Sequence, residues 1–464
     1  MSKLGFQTTD WLQVVEREKD MIIENLASKI AGENPEFFGD KSLNAEELNK
    51  ITAIVKNAVL TQKELTPEEQ KEATKTILGQ ITGYGILQDF FTHGQEVVLI
   101  GDMGEQRIVD AGDITEVFIN PTKDGPITFC SYRGRAWQTE KKYYFKNNDE
   151  ALRYCQKICE GAGRPFTQDA SIVDAWLPDG SRIAVVGFRS SPLGVMATIR
   201  KSPLSRPPMP MEKLVDFNML PSFAANLIRD LLVIGRANVG VFGRTDSGKT
   251  TFLRAMANYI DKIDRVFIGE TSFEMHIPHL PNCINLVEVV YGDRTIVDLS
   301  QICRAMNRNN PDRAILGEIR GKEIVAASQM ASSTSGGFWT TAHAGTIRDL
   351  RTRMFGMFLE AGIQLPMDFL DEIIASMFDF IIFLDKETKT KDRKRTMMEI
   401  IQVTEEGYRT IIKFDYNEFI KSDGKSRRWV FENPITDDML GKLAFNGGVL
   451  KEEYLKPDKN KYLI

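Results

Sequence analysis

The run Gly243-Arg244-Thr245-Asp246-Ser247-Gly248-Lys249-Thr250 fits the pattern G-x-x-x-x-G-K-[ST], and it constrains the fold through its flanks. The preceding Val239-Gly240-Val241-Phe242 is an apolar, β-branched run of strand character. After the loop, Leu253, Met256, Ala257 and Ile260 recur at helical spacing. A strand feeding a helix returns to its sheet by a crossover, so this order predicts an α/β core with a parallel sheet. The glycines let backbone N–H groups turn inward, and with the helix N-terminus they form a concave site of positive potential for phosphate oxygens. Gly243, Thr245, Ser247, Gly248, Lys249, Thr250 and Thr251 are therefore the candidate nucleotide-binding residues. Lys249 is expected to reach the outer phosphates and the Thr250 hydroxyl to bind magnesium, which makes ATP and Mg2+ the expected cofactors. Asp246 places a carboxylate in a loop meant for a polyanion, where an inward orientation would cost affinity. The expectation is that Asp246 and its neighbour Arg244 both face solvent.

Hydrolysis needs more than a phosphate cradle: a group must orient the attacking water, and charge must stabilise the transferring phosphoryl. Arg313-Ala-Ile-Leu-Gly-Glu318-Ile-Arg-Gly321 reads as an apolar strand ending in an acid. In a parallel sheet that end meets the phosphate site at the carboxyl edge, so Glu318 is the candidate water-orienting residue.

Around this core the sequence divides into segments. Residues 1–95 carry apolar positions such as Ile51, Ile54, Val55, Ala58 and Val59 at spacings of three and four, and read as a helical module. Thr66-Pro67-Glu68-Glu69 is a helix start, with threonine as cap, proline in the first turn and acids at the positive dipole end. Residues 96–202 shift towards period two around a helix at Asp149 to Cys159, predicting an α+β domain. Pro203, Pro207, Pro208 and Pro210 mark a stiffened linker, taken as 203–220, before the nucleotide-binding core at 221–464. Near the end, residues 378–384 and 397–403 pair across a charged turn, Lys386 to Arg395, which reads as a solvated hairpin tip.

Composition narrows the partners. Charged residues make up 27% of the 464, hydrophobic residues 42%, and the net charge is -5, values of a folded globular chain without a field that would hold nucleic acid over its whole surface. Cys130, Cys155, Cys159, Cys283 and Cys303 are scattered and lack the C-x-x-C spacing of zinc sites, so reduced thiols and no metal are expected of them. No signal-peptide pattern and no run of 18 apolar residues is found, which predicts a chain that is neither secreted nor membrane-spanning.

With these residues in hand, the chain resembles the secretion ATPases of type II and type IV secretion over about 81–404. Arg265-Val-Phe-Ile-Gly-Glu270-Thr-Ser-Phe-Glu274 looks like the family's acidic box, Gly317-Glu318-Ile-Arg-Gly321 its Walker B segment and Thr340-Thr-Ala-His343-Ala its histidine box. Val173-Asp-Ala-Trp-Leu-Pro-Asp-Gly180-Ser-Arg182 and Thr198-Ile-Arg200-Lys201 are similar to the paired motifs of its N-terminal domain. Three departures stand out: Asp246 replaces a usual glycine, Thr271 a usual aspartate, and Ser332-Ser-Thr-Ser-Gly-Gly337 precedes the histidine box. Absence of the paired-cysteine insertion of type II systems favours the tight-adherence and conjugation branch.

The resemblance implies a RecA-like core preceded by an α+β domain, and a ring, commonly a homohexamer. In it Arg182 and Arg200 would touch the outer phosphates, Glu274 would orient magnesium-bound water, Glu270 would support it, and His343 would relay nucleotide state to the subunit interface. The function implied is an ATP-hydrolysing motor of pilus assembly or secretion, cytoplasmic and peripheral, docking on inner-membrane platform proteins without direct nucleic-acid contact. A ring-shaped DNA translocase or a nucleotide-binding scaffold without turnover are the alternatives; Asp246 and Thr271 motivate the second.

Overall fold

The computed structural model describes residues 22–34 and 45–455, apart from 24, 28, 31, 64, 83, 93, 102–103, 133, 178, 203–207, 292–293, 335 and 391–392. The chain start and the linker prolines Pro203 and Pro207 lie outside the described residues. Two compact units are formed, Met1–Arg206 and Pro207–Ile464.

In the first unit the helices Ala45–Leu60 and Pro67–Thr82 carry a small core in which Ile51, Val55, Val59, Ala73 and Ile77 are fully buried. Thr66 caps the second helix reciprocally: Glu69 N–H donates to Thr66 Oγ1 at 3.4 Å, and Thr66 N–H donates to the Glu69 carboxylate at 2.8 Å. Eight strands follow: β1 Glu96–Ile100, β2 Gln106–Asp110, β3 Ile114–Asn120, β4 Ile127–Tyr132, β5 Arg135–Thr139, β6 Ile172–Trp176, β7 Arg182–Val186 and β8 Met196–Arg200. They make one antiparallel sheet in the order β2-β1-β5-β4-β3-β8-β7-β6. Alternate residues bury Val117, Ile119, Ile183, Val185, Ala197 and Ile199 in a core with the helix Asn148–Gly161. Cys155 and Cys159 sit on that helix's buried face, and burial pushes both thiols up.

The second unit begins with a difference from the sequence reading. Residues 211–220 are not linker: Met211–Asp216 is a helix, and Met211, Leu214, Met219 and Leu220 are buried in this unit's core. Its sheet uses β9 Val239–Gly243, β10 Val266–Glu270, β11 Cys283–Val287, β14 Arg313–Leu316, β15 Phe338–Ala342 and β16 Phe380–Lys386, all parallel. A separate ribbon, β12 Val289–Tyr291 with β13 Arg294–Val297, lies between β11 and β14 in the chain. Three antiparallel strands, β17 Arg395–Thr404, β18 Gly407–Phe414 and β19 Trp429–Phe431, extend the sheet to the order β11-β10-β14-β15-β9-β16-β17-β18-β19. This is the RecA-like α/β core expected from the sequence. Strands β9, β10, β14 and β15 are buried on both faces, which is why they read as largely apolar runs without alternating exposed positions.

The strand order positions the site. From β9 the chain jumps past two places to β10, and β14 and β15 later fill the gap. Because these strands are parallel, the residues after β9, β14 and β15 and the last residue of β10 emerge along one edge, where α/β sheets bind ligands. Among the described residues no helix is long and apolar enough to cross a membrane.

Candidate phosphate site and its carboxylates

The loop after β9 enters the helix Lys249–Ala257 through Gly248, whose φ of +91° only glycine adopts without strain. Ser247 Oγ is buried inside the loop and has no hydrogen-bond partner among the described residues. A buried hydroxyl left unsatisfied beside a helix N-terminus fits an incoming phosphate oxygen. Thr250 and Thr251 stand in the first turn, Thr250 half-buried and Thr251 exposed, and Thr245 is exposed on the loop.

Lys249 is buried and folds back over the loop, donating to Gly243 O at 3.1 Å and Arg244 O at 3.2 Å, with Nζ 3.2 Å from His343 Nδ1. Burial lowers its pKa, opposed by the nearby Glu318 carboxylate. An ammonium can only donate, so Nδ1 of His343 is the acceptor and the ring proton sits on Nε2. That Nε2 lies 2.9 Å from Glu318 Oε1, while Arg320 donates to Glu318 Oε2 at 2.6 Å. Burial first and the Lys249 cation second lower the His343 pKa, which favours a neutral imidazole at neutral pH. Lys249, His343, Glu318 and Arg320 thus form a continuous chain from the phosphate loop to the candidate water-orienting acid.

Its supports are backbone contacts. Thr341 Oγ1 donates to Gly317 O at 2.7 Å and Ile319 N–H to Thr341 O at 2.8 Å, clipping the turn around Glu318 to the end of β15. Gly317 itself leaves room for a neighbour, since a Cβ there would lie 2.9 Å from Glu270 Cγ. Glu270, the last residue of β10, is 4% exposed and accepts from Glu274 N–H and Met275 N–H, each at 3.2 Å. Burial pushes its carboxyl up to about 8, the two backbone donors opposing this.

That shift makes a pH prediction. The native state holds the Glu270 proton up to about 8, whereas the ordinary value is 4.5. Its stabilising contribution is therefore complete below 4.5 and is lost as pH rises through about 8. Urea unfolding of nucleotide-free protein should show wild type losing on the order of 3–5 kcal/mol relative to Glu270→Gln across that window. Parallel profiles for the two proteins would contradict the assignment.

The carboxylate of Asp246 does not face solvent alone, as the sequence suggested. It ion-pairs with Lys386 and Arg395, the two ends of the hairpin read as a solvated tip. Arg244, the neighbour on the loop, is exposed and lies near Gly345 instead. The sequence reading also passed over Arg320, Lys386 and Arg395; only Arg320, two residues from Glu318, carried a local signal.

In the first unit Arg182 and Arg200 are cross-strand partners on β7 and β8. Two like charges directly opposite are tolerated because each has an acid close by, Asp174 at 3.3 Å from Arg182 and Glu116 at 3.4 Å from Arg200.

The strand order and the loop after β9 define a P-loop nucleotide-binding class of protein. The family model described as Type II/IV secretion system protein matches residues 140–421, and the chain belongs to this family. It is 30% identical over 311 residues to an uncharacterized protein of Methanocaldococcus jannaschii, a match covering 66% of this chain and 52% of that one. The chain thus spans about half the length of that relative. It is 28% identical over 306 residues to the type IV secretion system protein VirB11 of Brucella suis, covering 59% of this chain and 81% of that one. Among solved structures it is similar to the VirB11 ATPase of the Brucella suis type IV secretion system in complex with sulphate, with a TM-score of 0.35, 23% identity, and coverage of 63% and 90%. The Legionella pneumophila ATPase DotB gives a TM-score of 0.48 at 17% identity, covering 74% of this chain and 91% of that one.

Proposed function

We propose that the chain is an ATP-hydrolysing motor of a pilus-assembly or secretion machine, in the tight-adherence and conjugation branch of its family. The observation that carries the reading is the convergence of Lys249, His343 and Glu318 beside the phosphate loop. In this reading the loop N–H groups and the Ser247 hydroxyl hold phosphate oxygens, and Lys249 swings from its backbone carbonyls to the outer phosphates. Glu318 accepts a hydrogen bond from the attacking water and aims it at the terminal phosphorus. Thr250 and, through water, Glu274 would hold magnesium, which would supply charge neutralisation of the phosphates. Glu270 supports Glu274 through the N–H it accepts. When Lys249 leaves His343 Nδ1, the imidazole loses its donor, and a change of tautomer or ring position passes nucleotide state along β15 towards the subunit interface.

Arg182 and Arg200 contact the outer phosphates in this proposal and convert loss of the terminal phosphate into domain rotation within a homohexameric ring. The ring works in the cytoplasm, peripheral to the membrane, on platform proteins of the machine. Arg182→Ala and Arg200→Ala should each lower steady turnover about 10- to 100-fold while light scattering with ATP and magnesium still gives the wild-type ring mass. Unchanged turnover in both variants would remove the arginines from the mechanism, and a wild type that stays monomeric under those conditions would remove the ring.

A further inference from the structure

Asp246 has a φ of +63°, a left-handed conformation in which aspartate is tolerated and glycine is at ease. What holds this residue there lies far off in the chain. Lys386 closes β16, Arg395 opens β17, and the two are direct register partners. Two cations directly opposite on neighbouring strands repel. The Asp246 carboxylate sits between them, pairing with Lys386 Nζ and with the Arg395 guanidinium. Arg395 Nε donates in addition to Asp246 O at 2.9 Å, so both the side chain and the backbone of the loop residue are held. The arginine stem packs against the loop at Gly248, where a Cβ would lie 2.9 Å from Arg395 Cδ. Burial raises the Asp246 carboxyl, but Arg395 and Lys386 outweigh it and hold it below its ordinary range.

We infer that Lys386 and Arg395 are positioning residues of the phosphate loop, acting through Asp246: the hairpin cations hold the loop in its phosphate-accepting shape and neutralise the one carboxylate within it. This rests on the reading of Gly243 to Thr250 as the phosphate site. The three side chains together carry one net positive charge beside that site, where Asp246 by itself would carry a negative one. The clamp also ties the loop to the two hairpin strands, so a shift of the β16–β17 hairpin changes nucleotide affinity.

The test is a double-substitution cycle on ATP affinity, read with a fluorescent ATP analogue in about 0.5 M KCl, where long-range charge effects are screened and contact pairs are not. Arg395→Gln in the wild-type background should weaken binding by about tenfold or more, and adding Asp246→Gly should restore it to within about threefold. Rescue by glycine in a different element would not follow if Arg395 merely supported the fold. Asp246→Asn combined with Arg395→Gln keeps the loop side chain's size, removes both charges, and should also bind within about threefold of wild type. The inference is overturned if Arg395→Gln costs the same with Asp246 present or replaced, or costs nothing. A wild type that binds no nucleotide would overturn the phosphate-site reading as well, and is a separate result.

Discussion

Glu318→Gln is expected to bind ATP and magnesium as the wild type does and to turn over about 10²- to 10⁴-fold more slowly. The amide keeps the size of the acid, and its carbonyl oxygen can still accept the Arg320 N–H, which in the wild type donates to Glu318 Oε2 at 2.6 Å, while His343 Nε2 stands 2.9 Å from Oε1 without being aligned for a hydrogen bond. It loses the second acceptor and the charge, so it can no longer draw the proton of an attacking water. Because Glu318 is placed by the Thr341 clip on Gly317 O rather than by its own charge, the turn should survive the change. The outcome is checked by equilibrium ATP binding alongside single-turnover phosphate release. If release continues at the wild-type rate, water activation belongs to another group, and Glu274 is the next to substitute.

Lys249→Ala should lose both binding and turnover, ATP affinity falling by about 10² or more and phosphate release to background. Without nucleotide the ammonium donates to Gly243 O and Arg244 O and faces His343 Nδ1, all neutral acceptors, so an anionic phosphate competes favourably for it. Alanine leaves the carbonyl of exposed Arg244 to water, and the melting temperature should change little. Binding at wild-type affinity would mean that the phosphates sit elsewhere than on this loop.

The parts of this site that the sequence made legible are those built from contiguous residues. The strand-loop-helix around Gly243 to Thr250 and the acid closing the strand 313–316 follow from apolar periodicity and from a motif whose chemistry fixes its spacing. The helical module was legible in the same way, through Ile51, Val55 and Val59. Partners brought together by the fold were not. Asp246 stands 140 residues from Lys386 and 149 from Arg395, so nothing local marks it as paired. The contact of Thr341 with Gly317 joins two strands whose adjacency depends on the chain's jump from β9 to β10. The helix Met211–Asp216 was hidden by the prolines before it, which stop a helix upstream and, with Pro210 at the cap, allow one to start. Strands β18 and β19 were missed because an antiparallel extension of a parallel sheet has no signature in the core motifs.

The most direct measurement is steady phosphate release by purified wild-type chain with ATP and magnesium, phospholipid vesicles present, against Lys249→Ala as the blank. A linear release well above that blank is the predicted result. ATP that binds to the wild type yet yields no more phosphate than Lys249→Ala would contradict the motor and leave a nucleotide-binding scaffold in its place.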